Sequence, residues 1–168
     1  PCATSTNPAS RGPKRKAAMA NSFGDFVRRI NVHADNVPRE VSKVMKKAAL
    51  AVDQTVVMAT PVDTGRARSN WIVSLGNPSG ETRDPYAPLP QGQDPSKLGE
   101  SGNAQGAINH AKEVVGQHKE GPICVTNNLP YIERLNEGYS SQAGAMFVEE
   151  AVQAGVQAVA SERIDTGR

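Results

Sequence analysis

The sequence has few aromatic residues and no long apolar run. Aromatic residues make up 4% of the 168 residues, and tryptophan occurs once, at position 71. A core must therefore be built mostly from Val, Ala, Ile and Leu, with Trp71 and three Phe as its few large side chains. No stretch approaches the roughly 18–20 apolar residues that cross a membrane, and the apolar segment of a signal peptide is missing from the N-terminus.

Residues that bind metals or form disulfides are also scarce. Cys2 and Cys124 are far apart, which favours reduced thiols over a disulfide framework. His33, His110 and His118 form no helical pair with a nearby carboxylate at metal-binding spacing. We find no activated nucleophile and no glycine-rich phosphate loop in the sequence. We therefore expect no cofactor, no metal ion and no enzymatic activity.

The positive charge is concentrated at one end of the sequence. The net charge is +2, and residues 1–18 contain Arg11, Lys14, Arg15 and Lys16 but no acidic residue. The rest of the chain is close to neutral, whereas binding through phosphates needs many cationic contacts. We predict that residues 1–20 form a basic extended arm, which contacts DNA or a neighbouring subunit through these four side chains. Residues 21–168 are predicted to form one domain.

The residue pattern predicts an α+β domain, with two long helices packed on a small, mostly antiparallel sheet. A helix from Ser22 to about Asn31 precedes a longer one that has Pro38 in its first turn and ends near Ala59. Alternation from Ser69 to Leu75 predicts a strand with Trp71 facing the core. The other predicted elements are a helix over about 107–117, a strand over Ile123–Thr126, a short helix from Pro130 to Gly138, and a final helix over about 145–163.

A long irregular segment separates the first predicted strand from the next helix. Residues 76–106 contain five Pro and six Gly, a composition that excludes a regular strand or helix of ordinary length. Irregular segments of this length within a compact domain are usually functional or disordered. We therefore predict an extended loop or arm over this range.

The tripeptide Asp-Thr-Gly, which is the signature of aspartic proteases, occurs at Asp63–Gly65 and again at Asp165–Gly167. Such enzymes need two carboxylates that share a proton. The first copy follows a predicted helix and Pro61 instead of an apolar strand, and the neighbouring Arg66 and Arg68 would keep Asp63 ionised. We therefore interpret Asp63, Thr64 and Gly65 as a turn in which Gly65 has a positive φ.

Two blocks of the sequence resemble the tail-completion, or neck, protein family of long-tailed bacteriophages. They are "TPVDTGRARSNWIVSLG", from Thr60 to Gly76, and "VTNNLPYIERLNEGYSSQAGAMFVEEAV", from Val125 to Val152. The family pattern has a helix, a proline and a Thr-Gly-Arg turn entering a strand. A later short strand is followed by Asn, Tyr, Glu and Gly. The matching residues are Thr64, Gly65 and Arg66 in the turn, Trp71 in the strand, and Asn127, Tyr131, Glu133 and Gly138 in the second block.

The resemblance, which covers about residues 38–160, implies a structural protein of the virion. Such a protein sits at the head–tail junction, forms a ring around the DNA channel and joins the tail to the head. It is made in the host cytoplasm. The resemblance implies a hexamer, with a dodecamer as the alternative. The expected partners are the head–tail adaptor protein and the tail tube or terminator proteins. Two alternative functions are open. The first is a head-side adaptor (head-closure) ring, and the second is a DNA-binding module that acts through the basic arm.

The neck-protein hypothesis also predicts a subunit interface that is built from charged side chains. Arg66 and Arg68 are spaced by two residues, which places them on one sheet face if the chain is extended there. We expect them to pair with Glu133 or Glu137 across the subunit interface. The alternative is a salt bridge within one subunit, which would contribute little stability.

Overall fold

The computed structural model describes residues 23–88 and 101–162. Within these ranges, five helices and one two-stranded antiparallel sheet confirm the predicted α+β class. The basic arm over 1–20 and the second Asp-Thr-Gly at 165–167 lie outside the described residues. In chain order the elements are α1 (Phe23–Ala59), α2 (Arg66–Ser69), β1 (Ile72–Leu75), α3 (Ser101–Gly116), β2 (Ile123–Thr126), α4 (Ile132–Asn136) and α5 (Phe147–Val159).

The first 37 described residues form a single helix, so the prediction of two separate helices was wrong. Pro38 lies inside α1 instead of opening a new helix. Proline lacks the amide hydrogen and usually interrupts a helix. Here the helical spacing of Ile30, Val37 and Val41 continues across the proline, so the apolar side chains stay on one face.

Three other predicted boundaries need correction. The first strand begins at Ile72, because the residues before it form α2. The predicted irregular segment 76–106 ends at Ser101, where α3 begins, and residues 89–100 lie outside the described part. Helix α5 is shorter than predicted at both ends. The second strand was correctly predicted at Ile123–Thr126.

The small sheet lies between two helices. Strands β1 and β2 pair antiparallel, with Val73 opposite Val125. Helix α3 packs against β1 and α1 packs against β2. The core has two clusters of buried side chains. The first contains Val56, Val57, Trp71, Ala104, Ala107, Phe147 and Ala151, and the second contains Ala49, Val73, Ala111 and Val115. Trp71 is thus in the core, as predicted, although it immediately precedes β1.

Helix α5 packs mainly on the second half of α1, and not on the sheet as predicted. The two helices approach closely because residue 155 is a glycine. A Cβ atom at this position would lie 2.4 Å from Val52 Cγ2 and 3.2 Å from the carbonyl oxygen of Ala48. Any larger residue at position 155 would therefore push the two helices apart.

His118 connects the end of α3 to α1. The side chain is 3% exposed, with Nδ1 2.9 Å from Ser42 Oγ and Nε2 2.9 Å from the carbonyl oxygen of Gly121. A carbonyl can only accept a hydrogen bond, so Nε2 carries a proton and donates it to Gly121, and in the neutral imidazole Nδ1 then accepts from the Ser42 hydroxyl. None of the helices in the described ranges is long and apolar enough to cross a membrane.

A buried carboxyl group interrupts the apolar face of α1. Asp53 is 1% exposed, and neither of its carboxylate oxygens has a hydrogen-bond partner within the described residues. It lies one helical turn from Ala49 on one side and from Val56 and Val57 on the other. Burial raises the pKa of Asp53 from 3.8 to about 7, because an apolar surrounding disfavours the charged form.

We predict that Asp53 makes the fold less stable as the pH rises from about 4 to 7. The folded state binds the proton more tightly than the unfolded state, so this contribution is fully present below the unfolded pKa and is lost as the pH rises through the folded pKa. The variant Asp53→Asn should be more stable than the native protein at pH 8 by a few kcal/mol, at about 1.4 kcal/mol per pKa unit. Near pH 4 the two proteins should be similarly stable.

Urea unfolding at a series of pH values measures this effect. The exposed Asp35→Asn is the control, because it removes the same charge from a solvated position on the same helix. An equal response of the two variants would contradict the assignment to Asp53.

Candidate functional site

The end of α1 and the turn that follows it are held by the Thr60 side chain. The hydroxyl of Thr60 donates to the carbonyl of Val56 at 2.6 Å, and it accepts a hydrogen bond from Trp71 Nε1 at 2.7 Å. Pro61 follows, so the helix cannot continue. Both Thr60 and Trp71 are buried. The only tryptophan in the sequence therefore fixes the direction in which the chain leaves α1.

Gly65 allows a close approach between this turn and α3. Its φ is 81°, as predicted for this position. A Cβ atom on Gly65 would lie 2.0 Å from Asn103 Nδ2. Because of this contact, as well as the backbone conformation, only glycine fits at this point of the turn.

The Asn103 side chain is fully buried and joins three segments. Its Oδ1 accepts hydrogen bonds from Ser69 Oγ at 2.9 Å and from the amide of Ala87 at 2.8 Å, and its Nδ2 donates to the carbonyl of Ala87 at 2.6 Å. A second buried amide, that of Asn70, bonds the backbone of Arg83 through both its oxygen and its nitrogen. The two asparagines thus hold residues 83–87 against the turn.

The two arginines of the turn have different environments, which corrects the prediction of a shared sheet face. Both belong to the helical turn α2 and not to a strand. Arg68 is 6% exposed, and its guanidinium donates to the carbonyl oxygens of Thr60 at 2.8 Å and Met58 at 3.2 Å. Arg68 is therefore a buried part of the turn and cannot reach a neighbouring subunit. Arg66 is exposed.

The second sequence block is attached to the same turn. Asn127 Nδ2 donates to the carbonyl of Ala67 at 3.0 Å, across 60 positions of the sequence. The amide of Val62 donates to Gln142 Oε1 at 3.0 Å. These two contacts bring together the Thr60–Gly76 and Val125–Val152 blocks, which the sequence alone had placed only in order.

Gly138 ends α4, as predicted. Its φ is 88°, its amide donates to the carbonyl of Leu135, and the amide of Tyr139 donates to the carbonyl of Arg134. This pair of bonds is the Schellman arrangement, in which glycine adopts the left-handed conformation after a helix. The Arg134 guanidinium lies 4.8 Å from the centre of the Tyr139 ring. Gly138 therefore directs the chain from α4 into residues 139–142.

A cleft of about 410 Å³ lies between the two blocks. One wall is the turn formed by residues 61–67, and the other is formed by Tyr131, Leu135, Ser140 and Gln142. Five residues predicted to be important in the first block, Pro61, Asp63, Thr64, Gly65 and Arg66, meet Tyr131 of the second block here. Glu133 and Glu137 are exposed and do not line this cleft.

Charged groups of the cleft act on the phenol of Tyr131. Partial burial raises the pKa of Tyr131, the positive charge of Arg66 lowers it, and the negative charge of Asp63 raises it. The net shift is upward, so the phenol keeps its proton and can donate a hydrogen bond. The cleft offers a neutral phenol, a cation, a carboxylate and two polar side chains, those of Ser140 and Gln142, in a small space.

The described lining of the cleft contains a single carboxylate, that of Asp63. A protease of the Asp-Thr-Gly type needs a second carboxylate at close range, and these residues do not provide it. No group of three or more His, Cys, Asp or Glu within the described ranges is arranged to hold a metal ion. Comparison with known protein families, with curated proteins and with solved structures found no match.

We predict that Gly65→Ala is much more destabilising than Gly76→Ala. Both glycines have nearly the same φ, 81° and 82°, but a Cβ on Gly76 would meet no atom within 4 Å. Left-handed backbone should cost each variant roughly 1–2 kcal/mol. Gly65→Ala should lose in addition about 1 kcal/mol for each Asn103 hydrogen bond that it displaces. Chemical denaturation of the two variants measures the difference, and equal losses would show that the contact with Asn103 contributes nothing.

Proposed function

We propose that this chain is a structural virion protein of the head–tail junction, a neck or tail-completion protein that forms a ring around the DNA channel. The observation that supports this proposal is the convergence of the two resembling blocks. The Thr-Gly-Arg turn and the Tyr131 segment, which are 60 or more positions apart, form opposite walls of one cleft. We expect residues that match the family pattern, and that also lie close together in the fold, to take part in the same function.

The geometry of the turn suits an assembly surface. The buried side chains of Trp71, Arg68 and Asn103 make the turn rigid, while Arg66 projects from it and is exposed. A rigid surface loses little conformational entropy when it binds a partner. We propose that the cleft receives a loop of the adjacent subunit, so that each copy contacts the next through two different surfaces. Contacts of this kind close into a ring when the rotation between subunits permits it.

One part of the predicted interface, the ion pair formed by Arg66 with a glutamate of the next subunit, remains a proposal. Within one copy, and among the described residues, no ion pair joins Arg66 to Glu133 or Glu137. All three side chains are exposed. We propose that Arg66 of one subunit pairs with Glu133 or Glu137 of the next, while Arg11, Lys14, Arg15 and Lys16 contact DNA or a neighbouring subunit.

We predict about six or about twelve copies of this chain per virus particle, because a single closed ring contains a small fixed number of subunits. Quantitative mass spectrometry of purified particles, with the major capsid protein as the internal standard, measures the copy number. Hundreds of copies would make the chain a shell or tube subunit. Its absence from particles would contradict the proposed function.

We predict that Arg66→Glu weakens ring formation and that Glu133→Arg or Glu137→Arg in the same chain restores it. An exposed ion pair contributes about 0.2–1 kcal/mol, so the concentration needed for assembly should rise severalfold when the charge is reversed. Native mass spectrometry of the purified variants measures the assembled fraction. Glu120→Arg, at an exposed position in the turn before β2, is the control for the change in net charge. Failure of both double variants to assemble would contradict the ion pair.

A further inference from the structure

A groove of about 590 Å³ runs along one side of α5. Its described lining lies between residues 145 and 157, at spacings that place the residues on one side of the helix. Ala145, Met146 and Ala154 contribute apolar surface, and Glu149, Glu150 and two glutamines contribute polar groups. We call this surface the α5 groove.

The α5 groove lies on a side of the helix that does not pack on α1. The buried residues of α5 are Phe147, Ala151 and Gly155, and none of them lines the groove. Every lining residue is exposed except Ala154, which is partly exposed. Within the described residues, the groove is therefore an open surface.

The part of the chain that contains the groove is acidic. Residues 121–162 include five Glu and one Arg, but no Asp or Lys. Asn136 Nδ2 donates a hydrogen bond to Glu149 Oε2 at 2.9 Å, and this bond lowers the pKa of Glu149. Among the described residues, no ion pair includes Glu149 or Glu150. The groove thus combines apolar surface with two carboxylates that have no cationic partner in this part of the chain.

A segment with the complementary chemistry lies near the start of the sequence. Residues 11–20, which are outside the described residues, have the sequence RGPKRKAAMA. Four cationic side chains and no acidic one are followed by three Ala and one Met. We call residues 11–20 the basic segment. Its cations match the two carboxylates of the α5 groove, and its small apolar side chains match the apolar lining.

The carboxylates of the groove lie far along α1 from the start of this helix. Gly155 of α5 approaches Val52, and Phe147 packs in the cluster that contains Val56. Glu149 and Glu150 come between these two contacts in the sequence of α5. They are therefore level with α1 at Val52 or beyond it.

The basic segment cannot bring its cluster of cations to the α5 groove of its own chain. Helix α1 is continuous from Phe23, so Val52 lies about 44 Å from Phe23 at 1.5 Å per residue. An extended chain spans at most about 3.6 Å per residue, which is about 32 Å from Phe23 to Lys14 and about 25 Å to Lys16. The shortfall of about 12 Å or more means that a contact with these carboxylates must be made to another copy.

We propose that the basic segment of one copy binds the α5 groove of a neighbouring copy. Its cations pair with Glu149 and Glu150, and its small apolar side chains pack on Ala145, Met146 and Ala154. Opposite charges at such a contact steer the two copies together and select the partner surface.

This inference deepens the proposed function, and it rests on the association of identical copies that a ring requires. The basic segment and the α5 groove are two different surfaces. Each copy can therefore give its segment to one neighbour and receive a segment from the other, as in a closed ring. The contact is separate from the cleft and from Arg66, so each can be tested without the other.

The first test is the association of the purified full-length chain, measured by sedimentation over a wide range of concentrations at low salt. Glu149→Lys combined with Glu150→Lys should raise the concentration of half-association about tenfold, because attraction becomes repulsion. The control is Glu113→Lys combined with Glu120→Lys, which makes the same change in net charge at exposed positions outside the groove. It should change this concentration by no more than about twofold.

The second test exchanges the charges between two chains. One chain has the reversed groove, with Glu149→Lys and Glu150→Lys, and the other has a reversed segment, with Lys14→Glu and Arg15→Glu. Each chain alone should associate weakly. An equal mixture should associate like the native chain, because each segment then meets a groove of opposite charge on the other chain. The reversed segment lies outside the described fold, and circular dichroism shows whether both chains remain folded.

The third test is disulfide cross-linking between two chains of different size, one of which carries an added tag. In a Cys2→Ser and Cys124→Ser background, Ala17→Cys in one chain and Gln153→Cys in the other should form covalent heterodimers on mild oxidation. Val152→Cys is the control for Gln153→Cys, since Val152 is 48% exposed on the same helix but does not line the groove. It should give much less of the heterodimer.

The proposal would be overturned by a native chain that stays monomeric at every concentration, or by a mixture of the two reversed chains that associates no better than either alone. If the reversed segment weakened binding to a short DNA duplex and left association unchanged, the partner of the segment would be DNA. A ring that persists in both reversed chains would exclude this contact and leave the neck function standing. Absence of the chain from virus particles would contradict the neck function alone.

Discussion

The close contact between Gly65 and Asn103 is the constraint on which the cleft depends. Glycine leaves room for the Asn103 carboxamide, and the carboxamide in turn bonds Ser69 and the backbone of Ala87. A buried amide without partners would cost more than its hydrogen bonds contribute, so this network is stable only when it is complete. The turn, α2, α3 and residues 83–87 are therefore stabilised together.

The turn is rigid on its inner side and polar on its outer side. Arg68, Trp71 and Thr60 bind one another or the end of α1, and none of them is available to a partner. Arg66 and Asp63 line the cleft and are exposed. A turn held in this way suits the ring that we propose, because a preformed surface loses little conformational entropy when it binds.

Helix α1 has two parts that differ in how far their side chains are buried. From Ser42 onward it is covered by α3, α5 and β2 of its own subunit. Before Ser42 its described side chains are exposed or partly exposed. Asp53 lies in the covered part, where an unpaired carboxyl group reduces stability at neutral pH. The packing of the described residues therefore accounts for the second part of α1 only.

The sequence by itself determined the elements whose signals are local. Helical spacing and Pro61 predicted the end of α1, and Gly65 and Gly138 predicted the two turns. The apolar residues of β2 predicted the second strand. Together these local signals were sufficient to predict the α+β class. The sequence misled at Pro38, because a proline inside a helix has the same local signal as a proline at its start. Spacing by two residues also suggested a strand at Arg66 and Arg68, where a short helical turn forms instead.

Only the tertiary structure decided which distant residues meet. The roles of Asn103 and Asn70 left no signal in the sequence, since a buried amide looks like any other asparagine until its partners are known. Arg68 could not be distinguished from Arg66, although one is buried and the other is exposed. The cleft likewise depends on contacts across 60 to 80 positions of the sequence. Local patterns determine the secondary structure, but burial and hydrogen-bond partners are properties of the whole folded chain.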